Sequence, residues 1–291
     1  MVGWIIYQRE NAIYNKQYIR FYLEEGAKLG IIFKVLLIED MEFGVRDGQW
    51  FLTYEGKGLE RPDFAICRAI YPLLSKQLEY MGITTFNNSF VAEICNDKAK
   101  TYQYLASTGI KMVDSSFYRN FQIREVTRQL QTQAVIKAVD GHGGSQVFLL
   151  QGTQDAMNAL DNELIPKLAG SDIVVQPLTG TRNQDLRVYV IGTEIIAAVL
   201  RTAKEGFKSN FSLGGEVKLY SLSEHEIDIV NQIIRQFDFG LVGIDFIIGD
   251  DGELIFNEIE DVVGSRMLYQ CSDINIVEKY LTYIGGKLNH Q

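Results

Sequence analysis

The first ninety residues alternate between apolar runs of strand length and amphipathic stretches of helix length, and this alternation constrains the fold more than any other feature. The pattern predicts four buried strands and two helices, namely strands at 2–7, 31–38, 63–68 and 83–86 and helices at 15–29 and 72–82. Strand–helix alternation predicts a small parallel α/β sheet with right-handed crossovers. Ligands gather at the carboxyl ends of such strands, which here indicates 8–11 and 68–71.

From about residue 111 the pattern changes to that of α+β units. A central section is predicted to contain strands at 133–140, 145–150 and 172–178 and helices near 122–132 and 154–168. A third section is predicted to contain a hairpin over 185–202, a helix at 224–239 and a second hairpin over 241–260. We therefore expect three units, comprising residues 1–93, 94–180 and 181–291.

Composition places the chain among ordinary globular proteins. Of its 291 residues, 46% are apolar and 22% are charged, and the net charge of −9 argues against nucleic acid or an anionic membrane as partner. The chain has no apolar run of transmembrane length and no basic N-terminal leader, so we expect a cytoplasmic protein. Its three cysteines, Cys67, Cys95 and Cys271, are too scattered for a zinc site and are expected to be reduced.

Three carboxylates near the C-terminus, Asp245, Glu258 and Glu260, lie in two apolar runs separated by GDDG (249–252). If this turn closes a symmetric hairpin, Asp245 lies opposite Phe256 and diagonal to Glu258. Asp245, Glu258 and Glu260 then share one face of the hairpin. Neither strand contains Lys or Arg, so the carboxylates should raise one another's pKa unless a cation binds. Oxygen ligands without His or Cys favour Mg²⁺ or Mn²⁺. The alternative is a hairpin whose carboxylates are simply solvated. A one-residue shift in strand register would also place Asp245 on the opposite face from the two glutamates.

A glycine-rich loop follows Lys137 and contains Gly141, Gly143, Gly144 and Ser145. Glycine allows backbone N–H groups to approach an anion closely, so the loop could hold phosphates while Lys137 adds a positive charge from the preceding strand. The spacing matches neither a Walker P-loop nor GxGxxG. A plain hairpin turn with a surface lysine is the equally simple interpretation.

Three further polar residues are candidate ligands. Lys98 begins a predicted helix, where the helix dipole disfavours a cation, and this placement suggests a phosphate partner. Arg201 and Asn210 lie in a polar, glycine-ended stretch at 200–215. Each of the three could equally be an ordinary surface residue.

The order of these features resembles that of the ATP-grasp superfamily, and most closely the RimK-like carboxylate–amine ligases, which are relatives of glutathione synthetase. The resemblance rests on Lys98, Lys137 with its glycine loop, and five segments in the same order: VVQPL, DLRVYVIG, RTAKEGFKSNFSLGG, GIDFI and FNEIE. It implies an ATP-grasp fold with an N-terminal Rossmann-like (pre-ATP-grasp) α/β domain. It also implies an ADP-forming ligase that joins a carboxylate and an amine through an acyl phosphate, acting on an amino acid or short peptide. Family members are often homodimers or homotetramers.

The resemblance further implies an ATP site between the central and C-terminal units. Lys98 and Lys137 would contact the phosphates, and the loop at 141–145 would close over them. Gln176 and Leu178 would hold the adenine through backbone groups.

The C-terminal unit would supply the remaining ligands. Asp185 and Arg187 would lie near nucleotide and substrate, and Arg201 and Asn210 would face the transferred phosphoryl group or the acyl substrate. The family's magnesium ligands fall on the positions that strand parity selects, Asp245, Glu258 and Glu260.

The chain departs from the family near its last metal ligand. Glu260 stands where the family commonly has Asn, and residues 261–264 replace a common Pro-Gly. Arg266, just beyond, is a candidate for binding a substrate carboxylate through two hydrogen bonds, and Arg68 is a second candidate substrate residue. Two alternatives to a ligase stay open: an inactive ATP-binding regulatory module, and an ATP-dependent phosphotransferase that acts on a small acceptor.

Overall fold

The computed structural model describes residues 1–180, 183–203 and 216–289, and its N-terminal part confirms the predicted parallel sheet. The strands of this part are β1 (Val2–Tyr7), β2 (Ile32–Leu37), β3 (Met41–Arg46), β4 (Gln49–Tyr54), β5 (Lys57–Gly58), β6 (Phe64–Cys67) and β7 (Thr84–Phe86). Its helices are α1 (Arg9–Tyr14), α2 (Lys16–Lys28), α3 (Pro72–Tyr80) and α4 (Ser89–Cys95). Strands β2, β1, β6 and β7 lie side by side in this order, all parallel, as in a Rossmann-like sheet.

Residues 41–58, which lie outside the predicted elements, form a three-stranded antiparallel sheet, β3-β4-β5. Its first turn is Asp47–Gly48, and both residues have positive φ, at 49° and 75°. An Asp-Gly pair with this backbone closes a tight two-residue hairpin, because its twist matches that of the strands. The hairpin packs on α3 through the rings of Trp50 and Tyr80, which stack at 5.5 Å.

The central part contains the predicted strands and helices, and its strands form an antiparallel sheet. Its strands are β8 (Ser116–Tyr118), β9 (Ala134–Ala138), β10 (Val147–Leu150) and β11 (Ile173–Pro177), in the order β10-β9-β11-β8. Its helices are α5 (Lys98–Leu105), α6 (Ile123–Gln129), α7 (Thr153–Ala159) and α8 (Ile165–Leu168). The helix predicted at 154–168 is interrupted by a π-helical turn at Leu160–Leu164 between α7 and α8.

The C-terminal part is a five-stranded antiparallel sheet. Its strands are β12 (Gln184–Ile191), β13 (Glu194–Thr202), β14 (Glu216–Tyr220), β15 (Leu241–Ile248) and β16 (Leu254–Glu260), in the order β14-β13-β12-β15-β16. Three helices accompany them, α9 (Glu224–Ile234), α10 (Arg266–Cys271) and α11 (Ile276–Asn289), of which α10 and α11 lie outside the predicted elements. Across the described ranges, no helix has the length and apolar character needed to cross a membrane.

Alternation along the C-terminal strands explains where the charged residues lie. One face of the sheet is apolar throughout and packs under α4, α5 and α9, with residues such as Val188, Ile244 and Phe246 fully buried. The other face is apolar only at one end, where Tyr189 and Leu241 pack beneath α10 and α11. The charged side chains therefore collect at the opposite end of that second face.

The carboxylate hairpin does not have the symmetric register that we predicted. Ile248 pairs with Leu254 rather than with Glu253, and Phe256 does not lie opposite Asp245. A register shifted by one residue would by itself have turned Asp245 away from the two glutamates.

A β-bulge reverses that shift. Asn257 is the extra residue, so Asp245 pairs directly with Glu258. The bulge also separates the two halves of β16: Phe256 points into the core, whereas Glu258 and Glu260 point to the opposite face. The prediction that Phe256 shares a face with the glutamates was therefore wrong.

Candidate active site

The structure brings the three carboxylates together at the charged end of the C-terminal sheet. One carboxylate oxygen from each of Asp245, Glu258 and Glu260 lies within 4.8 Å of the other two. Asp245 and Glu258 are direct cross-strand neighbours, and Glu260 follows two residues later on the same face. The cluster has the oxygen donors that magnesium prefers, and its role as a metal site stays a prediction.

Two arginines from neighbouring strands neutralise the buried member of the cluster. Arg187 of β12 donates from Nε and Nη2 to the two carboxylate oxygens of Asp245, at 2.7 and 2.6 Å. Arg201 of β13 donates from Nη2 to Asp245 at 2.7 Å and also pairs with Asp185. Arg187 reaches Glu260 as well, at 2.7 Å. The cations that β15 and β16 lack are thus supplied by β12 and β13 of the same sheet.

The carboxylates do raise one another's pKa, as expected, but at Asp245 and Glu258 the neighbouring cations outweigh this effect. Burial alone would raise the pKa of Asp245, but Arg187 and Arg201 bring it down to about 2. Burial also opposes ionisation of Glu258, yet the nearby Lys98 lowers its pKa. Only Glu260 follows the expected direction, since burial raises its pKa more than Arg187 lowers it.

Gly243 makes room for this arrangement. A Cβ atom at Gly243 would lie 3.2 Å from Cδ of Arg187 and 2.7 Å from Cγ2 of Val263. Any side chain here would therefore displace the Arg187 stem that carries the guanidinium to Asp245.

Both predicted phosphate-binding lysines face the same cluster from the central part of the chain. Lys98 lies 3.2 Å from Glu258 and donates a 2.6 Å hydrogen bond to the carbonyl of Gly141 in the glycine loop. Lys137 donates to Oδ1 of Asn257 at 3.1 Å. Asn257 was not among the predicted site residues; it lies directly before Glu258 in FNEIE, and the bulge turns it towards Lys137.

A cleft between the central and C-terminal sheets encloses a cavity of about 140 Å³. Predicted ligands from both sides line it, namely Lys98, Lys137, Gly141, Gly143, Gly144, Gln176, Leu178, Asp185, Arg201, Glu258 and Glu260. The Gln176 side chain donates to the Ser115 hydroxyl at 2.8 Å, and the predicted loop residue Ser145 is exposed. The cleft thus carries lysines and a glycine loop on one side and carboxylates on the other.

A second, larger cavity of about 700 Å³ lies between the N-terminal helices and α10. Aromatic and amide side chains form much of its wall, including Tyr14, Asn15, Gln17, Tyr18, Phe21, Tyr269 and Gln270. Gly143, Arg201 and Glu260 line both cavities, so the two spaces meet at these residues. Nothing in the sequence pattern indicated the aromatic wall, because its residues are far apart along the chain.

Of the two predicted substrate residues, only Arg266 lies on the wall of this cavity. Its guanidinium stacks on Tyr14 at 4.1 Å and donates to the Tyr14 hydroxyl at 2.6 Å. Arg68 is buried instead, where it donates twice to the carbonyl of Val263 and fixes the segment before α10. Asn210 lies outside the described residues.

Comparisons with known proteins identify the family of this chain. The sequence model of the RimK-like ATP-grasp domain matches residues 95–284. A probable alpha-L-glutamate ligase of Legionella pneumophila is 29% identical, over 73% of this chain and 70% of the relative. The ribosomal protein bS6–L-glutamate ligase of Escherichia fergusonii is 24% identical, over 96% of this chain and 94% of that protein.

A solved structure shows the same fold. The ATP-grasp ligase PsnB, in complex with a phosphomimetic variant of its minimal precursor, Mg and ADP, superposes with a TM-score of 0.67 at 17% identity, covering 97% of each chain. The present chain and this ligase therefore share their overall fold.

Proposed function

Since this chain belongs to the RimK-like ATP-grasp family of ATP-dependent, C–N bond-forming ligases, we propose that it forms an amide through an acyl phosphate, with release of ADP and phosphate. The observation that carries this proposal is the junction of the two cavities. Arg201 and Glu260 belong both to the cleft with the phosphate-binding groups and to the larger aromatic cavity. A substrate carboxylate in the larger cavity would thus meet the terminal phosphate at that junction.

We propose that the nucleotide occupies the smaller cleft. Lys98 and Lys137 would pair with its phosphates, and backbone N–H groups of the loop at 141–145 would bind and enclose them. Backbone groups of Gln176 and Leu178 would bind the adenine at the end of β11.

The residues around the cluster fit a magnesium ion. Glu258 and Glu260 are each about 28% exposed and line the cleft, so their oxygens are open to an ion. Asp245 is buried, but among the described residues its Oδ1 accepts one hydrogen bond, from Arg187, and a carboxylate oxygen has a second lone pair. When bound, magnesium would neutralise the β- and γ-phosphate oxygens during transfer.

The chain's own cations would then stabilise the reacting groups. The carboxylate oxygen of the substrate attacks the γ-phosphorus, the bond to ADP breaks, and an amine subsequently displaces phosphate from the acyl carbon. Arg201, fixed by Asp185 and Asp245, would lie beside the oxygens that gain charge in both steps. The glycine loop would shield the acyl phosphate from water.

For the substrates we propose an amino acid or short peptide, with glutamate as one partner because two relatives are named glutamate ligases. Arg266 would bind a substrate carboxylate. In the structure its guanidinium hydrogen-bonds to the neutral groups of Tyr14 and Asn15, so a carboxylate would be a stronger partner.

The proposal is tested by measuring phosphate release from ATP in the presence of pairs of amino acids and small carboxylates, followed by mass spectrometry of the products. We expect release that requires both substrates, together with a product whose mass is that of both joined with loss of water. A phosphorylated acceptor without an amide would identify a phosphotransferase instead. Nucleotide binding without release under any pair would identify a regulatory module.

The affinity for ATP is expected to fall above pH 8 because of Lys137. Burial lowers the pKa of Lys137 to about 8, an effect that Lys98 strengthens and Glu258 opposes. Below this pH the ammonium is charged when ATP arrives; above it, binding requires proton uptake, so the Kd should rise by up to about tenfold per pH unit. The Lys137→Arg variant keeps its charge and should show a flat profile in the same calorimetric titrations. If the wild type and Lys137→Arg showed the same pH dependence of the Kd for ATP, Lys137 would not be a phosphate ligand.

A further inference from the structure

The outer edge of β3 is open, because β4 is its only strand partner in the residues that the structure covers. Open edges are templates for further strands, and soluble proteins usually block them with proline, lysine or a covering segment. The six residues of β3, MEFGVR, contain neither proline nor lysine. The edge is therefore suited to accept another strand.

We propose that a second copy of this chain pairs antiparallel with β3 about a two-fold axis at Gly44, giving a homodimer with one continuous six-stranded sheet. In this register Glu42 lies opposite Arg46 of the second copy, and Phe43 lies opposite Val45. The two-fold axis generates each pair twice, as an isologous interface requires. The same strand thus provides both members of every pair.

The hydrogen-bonding pattern of the hairpin agrees with this register. Arg46 and Gln49 close the two-residue turn, and the carbonyl of Asp40 accepts from the Glu55 amide at 2.8 Å, so the even-numbered residues of β3 bond to β4. Phe43 and Val45 consequently direct their backbone groups outward. In the proposed dimer they would form the hydrogen-bonded pair.

The apolar face of the hairpin has an exposed end that the second copy would cover. Val45 is 66% exposed and lies opposite Trp50, which is 50% exposed and stacks on Tyr80. Phe43 of the second copy would lie against Val45 on this face, and such an apolar cross-strand pair stabilises a sheet.

The opposite face carries complementary charge. Glu42 and Arg46 are 65% and 64% exposed, and within one chain they approach to 3.6 Å. In the dimer they would also meet across the two-fold axis, as a non-hydrogen-bonded pair, in which side chains are closest. This self-complementarity favours a second copy of the chain over an unrelated peptide.

The interface would leave the active site free. The walls of the two cavities are formed by residues outside 41–58. Variants of β3 should therefore change assembly without changing turnover per subunit.

Charge reversal followed by analytical ultracentrifugation tests the proposal. Glu42→Arg places two arginines opposite each other and Arg46→Glu places two glutamates, so each variant should weaken the dimer by about tenfold or more. The double variant restores opposite charges and should return the dissociation constant to within about twofold of the original. Glu24→Arg is the matched control, because Glu24 forms a similarly exposed pair with Arg20 on α2; this variant should dimerise normally.

A second variant tests the apolar face. Val45→Asp would place a charge against Phe43 of the second copy and should therefore yield a monomer. The variant chain should still fold, because Val45 is exposed in the single chain. A wild-type monomer at micromolar concentration, or a dimer that tolerates both single reversals and Val45→Asp, would overturn the proposal. A double variant that stays monomeric would overturn the proposed register.

Discussion

Replacing Glu258 by Gln is expected to reduce the turnover number by about 10³-fold while leaving the fold intact. The substitution is nearly isosteric, and Glu258 is partly exposed at the cleft, so removing its charge should cost little stability. It removes one of the two partly exposed carboxylates that the proposed magnesium ion would contact in the three-oxygen cluster. Nucleotide binding should persist, because Lys98 and Lys137 stay in place.

Turnover, nucleotide affinity and thermal unfolding should be measured together for this variant. The matched control is Glu253→Gln, five residues earlier, where the carboxylate is exposed and lies 3.3 Å from His225. The control should show wild-type turnover. Wild-type turnover in Glu258→Gln itself would exclude Glu258 as a required metal ligand.

Replacing Asp245 by Asn is expected to lower the free energy of unfolding by about 1.5–3 kcal/mol, because it removes the anion that two buried guanidinium groups share and leaves Arg187 with Glu260 and Arg201 with Asp185. Arg187 and Arg201 both donate to this carboxylate, and all three side chains are nearly inaccessible to solvent. Urea unfolding at neutral pH measures the change. Asp251→Asn, which breaks an exposed pair with Lys111, should cost less than about 1 kcal/mol.

The shifted pKa of Asp245 also predicts how the stability of the fold depends on pH. The pKa of Asp245 is about 2 in the folded chain, below its ordinary value of 3.8, because of Arg187 and Arg201. A depressed pKa stabilises the fold above the unfolded-state value, and this contribution disappears as the pH falls through about 2. The wild type should therefore lose stability more steeply than Asp245→Asn between these two pH values. Parallel curves would show that the ion pairs contribute nothing to folding.

The sequence was sufficient to predict that Asp245, Glu258 and Glu260 lie close together. It was not sufficient to predict the strand register that brings them together. Alternation along β16 places Glu258 and Glu260 on one face, and this local property depends on two residues. The position of Asp245 depends on the register of a hairpin, which a turn of several residues does not fix. A one-residue shift and the bulge at Asn257 cancel here, and with this register Phe256 packs in the core.

Partners that are distant along the chain were beyond sequence reasoning. Arg187 and Arg201 were predicted to serve nucleotide and substrate, yet their pairing with Asp245 depends on the order of strands in the sheet. The aromatic cavity likewise joins Tyr14 to Arg266, which are 252 residues apart. By contrast, the hairpin at 41–58 had a local signal, since Asp47–Gly48 between two apolar runs is a typical hairpin turn.

Helix ends show the same division between local and distant causes. Lys98 was predicted to begin a helix, and α5 does begin there, with the side chain of the preceding Asp97 accepting from the Lys100 amide. The predicted helix at 224–239 begins with a Ser223 capping box but ends at Ile234, because Phe237 and Phe239 turn into the core instead. Capping is a property of neighbouring residues, whereas the end of this helix depends on tertiary packing.

Transfer of ¹⁸O from the substrate carboxylate to phosphate tests the proposed acyl phosphate most directly. When the carboxylate oxygen attacks the γ-phosphorus and the amine later displaces phosphate, the carboxylate loses that oxygen to the phosphate. A substrate labelled with ¹⁸O in its carboxylate should therefore give one labelled oxygen in each released phosphate. Unlabelled phosphate released together with an amide would contradict the account.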